Sequence, residues 1–488
     1  MIGYSKHFNT IVVGVGGMGS ATCYELSKRG LRVLGIEKFD IPHDLGSSHG
    51  YTRIIRQPYY ENPNYVMLIK RAYELWDEIE TRTNSRILYK NGSLDIGPAD
   101  SWVFKGSLKS AVEHDLKYEV ISGKEISMRW PGYQLPHDLM GIYQPDGGYL
   151  APEKAIVSYV EAAHAMGAEI HGREEVLEWQ PTSEGGVRVI TDRAEYTADS
   201  LVYTAGAWNQ NLLPFLNGLA IPERQVLAWL QPERPEMFQP DVFPVFNLLT
   251  KEGRYYGFPI HGVPGFKFGI YHHLEEHGFA DEIDWEVYPD DEEMLREVAA
   301  RYFPQGAGPT LTLKACMFTN SPDKQFIVDL HPEYPQVSFA AGFSGHGYKF
   351  ASVIGEIMAD LSERQSTRHD ISFLSLARLT GQISDLHINK LGLPDHMVRR
   401  QNVNRQIIRP GQRLQHTTQY PRRHQPRRVG NHIRHQGRHQ PHYRGGRRPF
   451  RQTFRTQNGR RQSPYRDQMY WDSTDPRYWD SDSVDPFW

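Results

Sequence analysis

Cysteine is almost missing from this chain. Among 488 residues only Cys23 and Cys316 occur, far apart in sequence, which excludes a disulfide framework as the organising device. Long apolar runs are missing too: none reaches the ~18 residues that a membrane-spanning helix needs. The segment from Met1 to Phe8 lacks the apolar stretch of a secretory signal, so a cytoplasmic protein with no membrane partner is expected. A third absence is regional. Residues 391–488 contain neither Lys nor Glu, but 20 Arg and 7 Asp, and Leu, Ile, Val and Met supply just 12 of the 98 positions. Such a stretch has too little apolar surface to offset chain entropy and is expected to be a disordered Arg/His/Gln-rich tail.

The overall net charge of −3 therefore hides two unlike parts, a tail of +13 and a body of −16. The body has an ordinary globular composition, 39% hydrophobic and 12% aromatic over the chain. Asn9–Val13 is a short β-branched run ending at a glycine turn, the pattern of a buried parallel strand. Ser20–Gly30 reads as a helix closed by Gly30, and Arg32–Glu37 as the next strand. Helical periodicity recurs at 65–81, 152–166 and 350–361, with a buried strand at 200–204. Alternating strands and helices imply an α/β fold. Residues 221–310, broken by Pro and Gly around strands such as 254–258 and 266–271, read as a separate mixed sheet.

Gly14, Gly16 and Gly19 spell G-x-G-x-x-G between the first strand and the first helix, and Glu37 ends the second strand. Glycines there allow a tight turn and bring helix-terminal N–H groups against a pyrophosphate, while the acid can accept from both ribose hydroxyls. An acid rather than an Arg at this point disfavours a 2′-phosphate. These residues leave FAD and NAD both open.

Further motifs follow in order: Gly46-Ser47-Ser48-His49-Gly50 with Thr52-Arg53-Ile54-Ile55-Arg56, then Lys314-Ala315-Cys316-Met317-Phe318-Thr319, then Gly342 to Phe350. Together they resemble the monomeric sarcosine oxidase family, which includes N-methyltryptophan and pipecolate oxidases, over about residues 8–380. The resemblance implies a discontinuous Rossmann-like FAD-binding domain (1–88, 150–220 and 311–385) and a mixed-sheet substrate domain (89–149 and 221–310). It also implies FAD held covalently through Cys316, since a thiolate can attack the 8α carbon of oxidised flavin. Cys23, on the inner helix, is expected to be plain packing.

By the same resemblance Arg56 and Lys349 would clamp a substrate carboxylate, and Thr52, Arg53 and His49 would lie near the flavin. Val176 would border the adenine, and Tyr256 and either His272 or His273 would belong to the active site. Lys267 would be the cation that serves O₂. Lying between Phe266 and Phe268 in a strand, it should point away from them, toward the ring. The turn containing Gly345 and Gly347 precedes a helix whose N-terminal dipole suits the anionic reduced flavin. Gly206 and Trp208 resemble a second glycine turn near the cofactor. Phe318 departs from the family's tyrosine, which makes the pocket less polar and leaves room for a bulkier N-alkyl amino acid.

The expected reaction is hydride removal from a secondary amino acid, with O₂ reduced to hydrogen peroxide, by a monomer without a metal. An FAD dehydrogenase with another electron acceptor, or a pipecolate oxidase, is the alternative within enzymes. The tail's clustered arginines would bind nucleic acid nonspecifically, so a polyanion-binding protein is the alternative of another class. A eukaryotic source would point to the peroxisome, although Asp485-Pro486-Phe487-Trp488 is not an S-K-L address.

Overall fold

Strand Lys6–Val13 lies at the centre of the first of three sheets, parallel to Val33–Ile36 on one side and to Glu195–Tyr203 on the other. Its inner residues Ile11 and Val12 are fully buried, as a strand covered on both faces requires. The computed structural model describes residues 6–379. All of these belong to one unit, Met1–Gln412; the second unit, Arg413–Trp488, and the tail expected to be disordered lie outside the described residues.

The sheet has eight strands. Its order runs Val176–Pro181, Val187–Thr191, Glu195–Tyr203, Lys6–Val13, Val33–Ile36, Glu169–His171, while Val337–Ala341 pairs with the far end of Glu195–Tyr203 and carries Ile327–Leu330 on its outer edge. Helix Gly17–Lys28 follows the first strand at once, starting three residues before the sequence pattern placed it, so Gly19 sits in its first turn. The helix stops at Arg29 and Gly30, the latter at φ +80°. It packs on helix Ala351–Arg364, where a Cβ at Gly355 would come within 2.6 Å of Ala21 Cβ. Cys23 belongs to this core, and burial pushes its thiol up to about 12.

The second sheet also has eight strands, in the order Thr310–Asn320, Ile221–Leu230, Phe266–Ile270, Gly253–Phe258, Val245–Thr250, Ser93–Pro98, Leu139–Gln144, Glu119–Ser122. One face packs Phe246, Phe266 and Phe268 with Leu295 of helix Pro289–Tyr302 and with Phe303. The other carries Trp229, Tyr256, Phe258 and Cys316. The strand with Cys316 thus pairs in this sheet, whereas its position in the sequence grouped it with the first. Ladder partners are set by pairing across distant segments, which local pattern does not report. A third, three-stranded sheet joins Arg53–Ile55, Gly148–Leu150 and Leu88–Lys90.

Candidate active site

The three glycines of the opening turn differ in what surrounds them. Gly14 has φ +87°, and a Cβ there would lie 2.5 Å from Ala205 Cα. At Gly19 a Cβ would fall 1.8 Å from the Gly14 carbonyl oxygen, so helix and strand touch through this position. Gly16 has open space instead, with Ser48 Oγ at 3.9 Å its one near neighbour. Turn, close packing and an open approach for phosphate are the three demands of a dinucleotide turn. Glu37 at the next strand end accepts from the backbone N–H groups of Val15 (2.9 Å) and Phe39 (3.0 Å), which fixes its carboxylate at the cavity wall. Burial pushes that carboxyl above the usual carboxylate range, against the pull of His43 and the backbone donors.

A cavity opens against this turn. Its lining includes Glu37 and Val176, Gly206 and Trp208, and Arg53, Phe318, Gly345 and Gly347. Gly345 has φ +77°, and a Cβ there would strike the Phe318 ring at 2.5 Å. Thr319 Oγ and both ring nitrogens of His49 are buried with no partner among the described residues. Burial, then Arg53, hold the His49 ring well below its ordinary pKa, so it is neutral. Such unmet polar atoms around an open turn fit a dinucleotide that supplies their partners.

Next to Arg53, which lines the cavity, the second and third sheets bring together residues far apart in sequence. Arg53 Nη2 lies 3.7 Å from Cys316 Sγ. Lys267 is fully buried on the face opposite Phe266 and Phe268, and its Nζ donates to Gly50 O (2.8 Å), Thr52 O (3.0 Å) and Thr52 Oγ1 (3.1 Å). Burial, with Arg53 adding repulsion, pulls this ammonium well below the ordinary lysine range. Tyr256 stands on the same face, where Gly269 leaves room for its ring.

Arg56 and Lys349 share one aromatic pocket, both lying over the Tyr59 ring, at 4.5 and 5.4 Å. Arg56 is already engaged, with Glu61 at 2.6 Å, Asp95 at 3.5 Å and the Pro58 carbonyl. The Glu61 side chain is largely buried, 8% exposed; burial would raise its carboxyl, but Arg56, helped by more distant cations, holds it at about 2. Its Oε1 has no partner among the described residues. Lys349 donates to the His346 carbonyl at 2.7 Å, and burial followed by Arg56 lowers its pKa to about 7.

The histidine pair is placed differently from the expectation. The strand ladder ends at Ile270, and a left-handed backbone at His272 (φ 59°) turns its ring to Glu223, 2.9 Å away. His273 is buried on Asp291 at 2.7 Å. Tyr271, not His272, packs on Tyr256, with ring centroids 5.1 Å apart, and on Phe318 at 5.8 Å. Period-two alternation from Lys267 would have found it, since Lys267, Gly269 and Tyr271 share a face. Glu61 and Thr319 were missed as well. Glu61 lies just beyond the Arg56 motif and Thr319 closes the Cys316 motif, but a single acid or threonine carries no local signal of a role.

A glycine-turn cradle overlaid by a sheet that presents cations and a thiol suits a dinucleotide engaged in electron transfer, and fold and site together define a dinucleotide-dependent oxidoreductase. The sequence matches the FAD dependent oxidoreductase family over residues 9–361, and the chain belongs to that family. It is 42% identical over 382 residues to a monomeric sarcosine oxidase of Bacillus sp. (strain B-0618), covering 77% of this chain and 97% of the relative. It is 34% identical over 374 residues to an N-methyl-L-tryptophan oxidase of Yersinia pestis (strain Pestoides F), covering 76% and 99%. Among solved structures, NikD, an unusual amino acid oxidase essential for nikkomycin biosynthesis, superposes with a TM-score of 0.66 at 24% identity over 76% of this chain and 98% of its own. The L-proline dehydrogenase of P. horikoshii does so with a TM-score of 0.67 at 21% identity, over 77% and 98%. No helix among the described residues is long and apolar enough to cross a membrane.

Proposed function

We propose that the protein is an FAD-dependent oxidase of N-methyl or other N-alkyl amino acids, working as a cytoplasmic monomer with O₂ as acceptor. The observation that carries this reading is the meeting of Cys316, Tyr256 and Lys267 on one sheet face, with Arg53 3.7 Å from the Cys316 sulfur. The names of the relatives, sarcosine and N-methyltryptophan oxidases, support the same chemistry. In this reading, 1–88, 150–220 and 311–385 form the FAD domain and 89–149 with 221–310 the substrate domain, strand Thr310–Asn320 pairing in the sheet of the latter.

Gly14, Gly16, Gly19, Glu37 and Val176 would hold the adenosine diphosphate end, and His49, Thr52, Arg53, Gly345 and Gly347 the ring end, with Cys316 as the thioether tether. When bound, FAD supplies the acceptor for a hydride from the N-methyl carbon and the route by which O₂ becomes hydrogen peroxide, leaving an imine that water converts to formaldehyde and the primary amino acid. Lys349 offers its remaining ammonium donors to the substrate carboxylate, beside the positive edge of the Arg56 pair. Glu61 Oε1 is an open acceptor for the amine N–H. Tyr256 and Tyr271 wall the pocket, and Phe318 leaves it without the hydroxyl of its family counterpart. Lys267, whose Nζ donates to three oxygens that favour the ammonium against its burial, would place a cation where charge develops on dioxygen.

The test is a peroxide assay on the purified holoenzyme with sarcosine and N-methyl-L-tryptophan, beside anaerobic bleaching of the yellow chromophore. Bleaching and peroxide with at least one of them are expected; no bleaching with any N-methyl amino acid would contradict the reading.

A further inference from the structure

Resting on that reading, we propose that Arg254 makes the pocket selective for secondary amino acids that carry a second carboxylate on the side chain. Strand Gly253–Phe258 alternates, so Arg254 projects from the same face as Tyr256 and Phe258, while Tyr255 joins the phenylalanine core behind. Its guanidinium carbon stands 3.5 Å from the centroid of the Tyr271 ring, which itself packs on Tyr256 and Phe318. Trp102 at 5.2 Å and Tyr60 at 5.9 Å complete an aromatic setting around it.

No carboxylate lies within ion-pair distance of Arg254 among the described residues. Glu252, two positions earlier, turns to Arg301 and Tyr302, and Glu61 is taken by Arg56 at 2.6 Å. A half-buried guanidinium held by rings, with its fork unmet, is a ready receptor for a carboxylate. Arg254 and Arg56 flank the Tyr60 ring, at 5.9 and 3.8 Å, and Arg56 and Lys349 share the Tyr59 ring, so the three cations stand on one aromatic cluster. Arg254 and Lys349 have no acidic partner of their own among the described residues, while Arg56 is balanced by Glu61 and Asp95. Two unpaired cations on one pocket match two anionic groups on one ligand: the α-carboxylate at Lys349 and the side-chain carboxylate at Arg254. A monocarboxylic substrate would leave Arg254 uncompensated.

The experiment compares kcat/KM for N-methyl-L-glutamate with that for N-methyl-L-glutamine, which has the same shape without the charge, using the holoenzyme and the Arg254→Met and Arg254→Lys variants. The wild type should favour the dicarboxylate by about 10–100-fold, the range of a charge-assisted hydrogen bond. The ratio should collapse toward one in R254M and recover in part in R254K, with flavin content per chain checking that each variant folds. Equal use of acid and amide by the wild type, or a ratio untouched by R254M, would overturn the inference while sarcosine turnover left the oxidase reading intact. Failure of every N-methyl amino acid to reduce the flavin would overturn both.

Discussion

Lys267 is the residue whose charge matters most to the choice between oxidase and dehydrogenase. Lys267→Met is expected to slow reoxidation by O₂ by about 10²–10³-fold, the scale for one lost donor at a developing anion. Anaerobic reduction should be mostly retained; stopped-flow traces of the two half-reactions would separate them, and equal losses would refute the role. Lys349 sets a pH dependence. Its pKa stands at about 7, below the ordinary lysine value, so the free pocket carries the charge below pH 7 and loses it as pH rises. Substrate affinity should therefore weaken above pH 7, approaching tenfold per unit, and Lys349→Arg should flatten that limb. Measured KM across pH 6–9, flanked by the fixed charges of Arg56, Glu61 and Arg254, checks this. At this scale the sequence announced residues inside motifs: Glu37 by spacing, Cys316 and Lys349 by resemblance. Tyr271, Glu61 and Arg254 were not legible, because their placement comes from register and from neighbours across strands.

Among elements, the opening strand, turn and helix were readable because three local demands coincide there: β-branched burial, glycine conformations and helix start. Gly14→Ala should cost more than about 1 kcal/mol, since φ is +87° and the Cβ would meet Ala205. It should also lower bound flavin. Gly30→Ala, at φ +80° with nothing within 4 Å, should cost only backbone strain and keep the flavin. Thermal melts and flavin-to-protein ratios of the two variants test the distinction. Strand Thr310–Asn320 was less legible. Its sequence says extended, but its assignment to the second sheet rests on ten residue pairings with Ile221–Leu230, such as Gln225 opposite Cys316. The end of strand Phe266–Ile270 likewise depended on the left-handed backbone at His272, a conformation uncommon for any residue but glycine.

For the whole molecule, an acidic body is joined to a basic segment. Removing 391–488 should leave flavin content and turnover unchanged while abolishing salt-sensitive retention on a polyanion column, because the Arg-rich charge goes with it. A loss of turnover on truncation would show that the segment takes part in the site. The association of the two sheets was foreseeable only through resemblance; composition and periodicity gave an α/β body, not the overlay that brings Cys316 to Arg53. That juxtaposition is tested most directly by acid-precipitating the purified holoenzyme and recording the absorption spectrum of the washed pellet. A yellow, flavin-absorbing pellet from the native protein and a colourless one from Cys316→Ser are predicted; a colourless native pellet, with the flavin left in the supernatant, would contradict the tether.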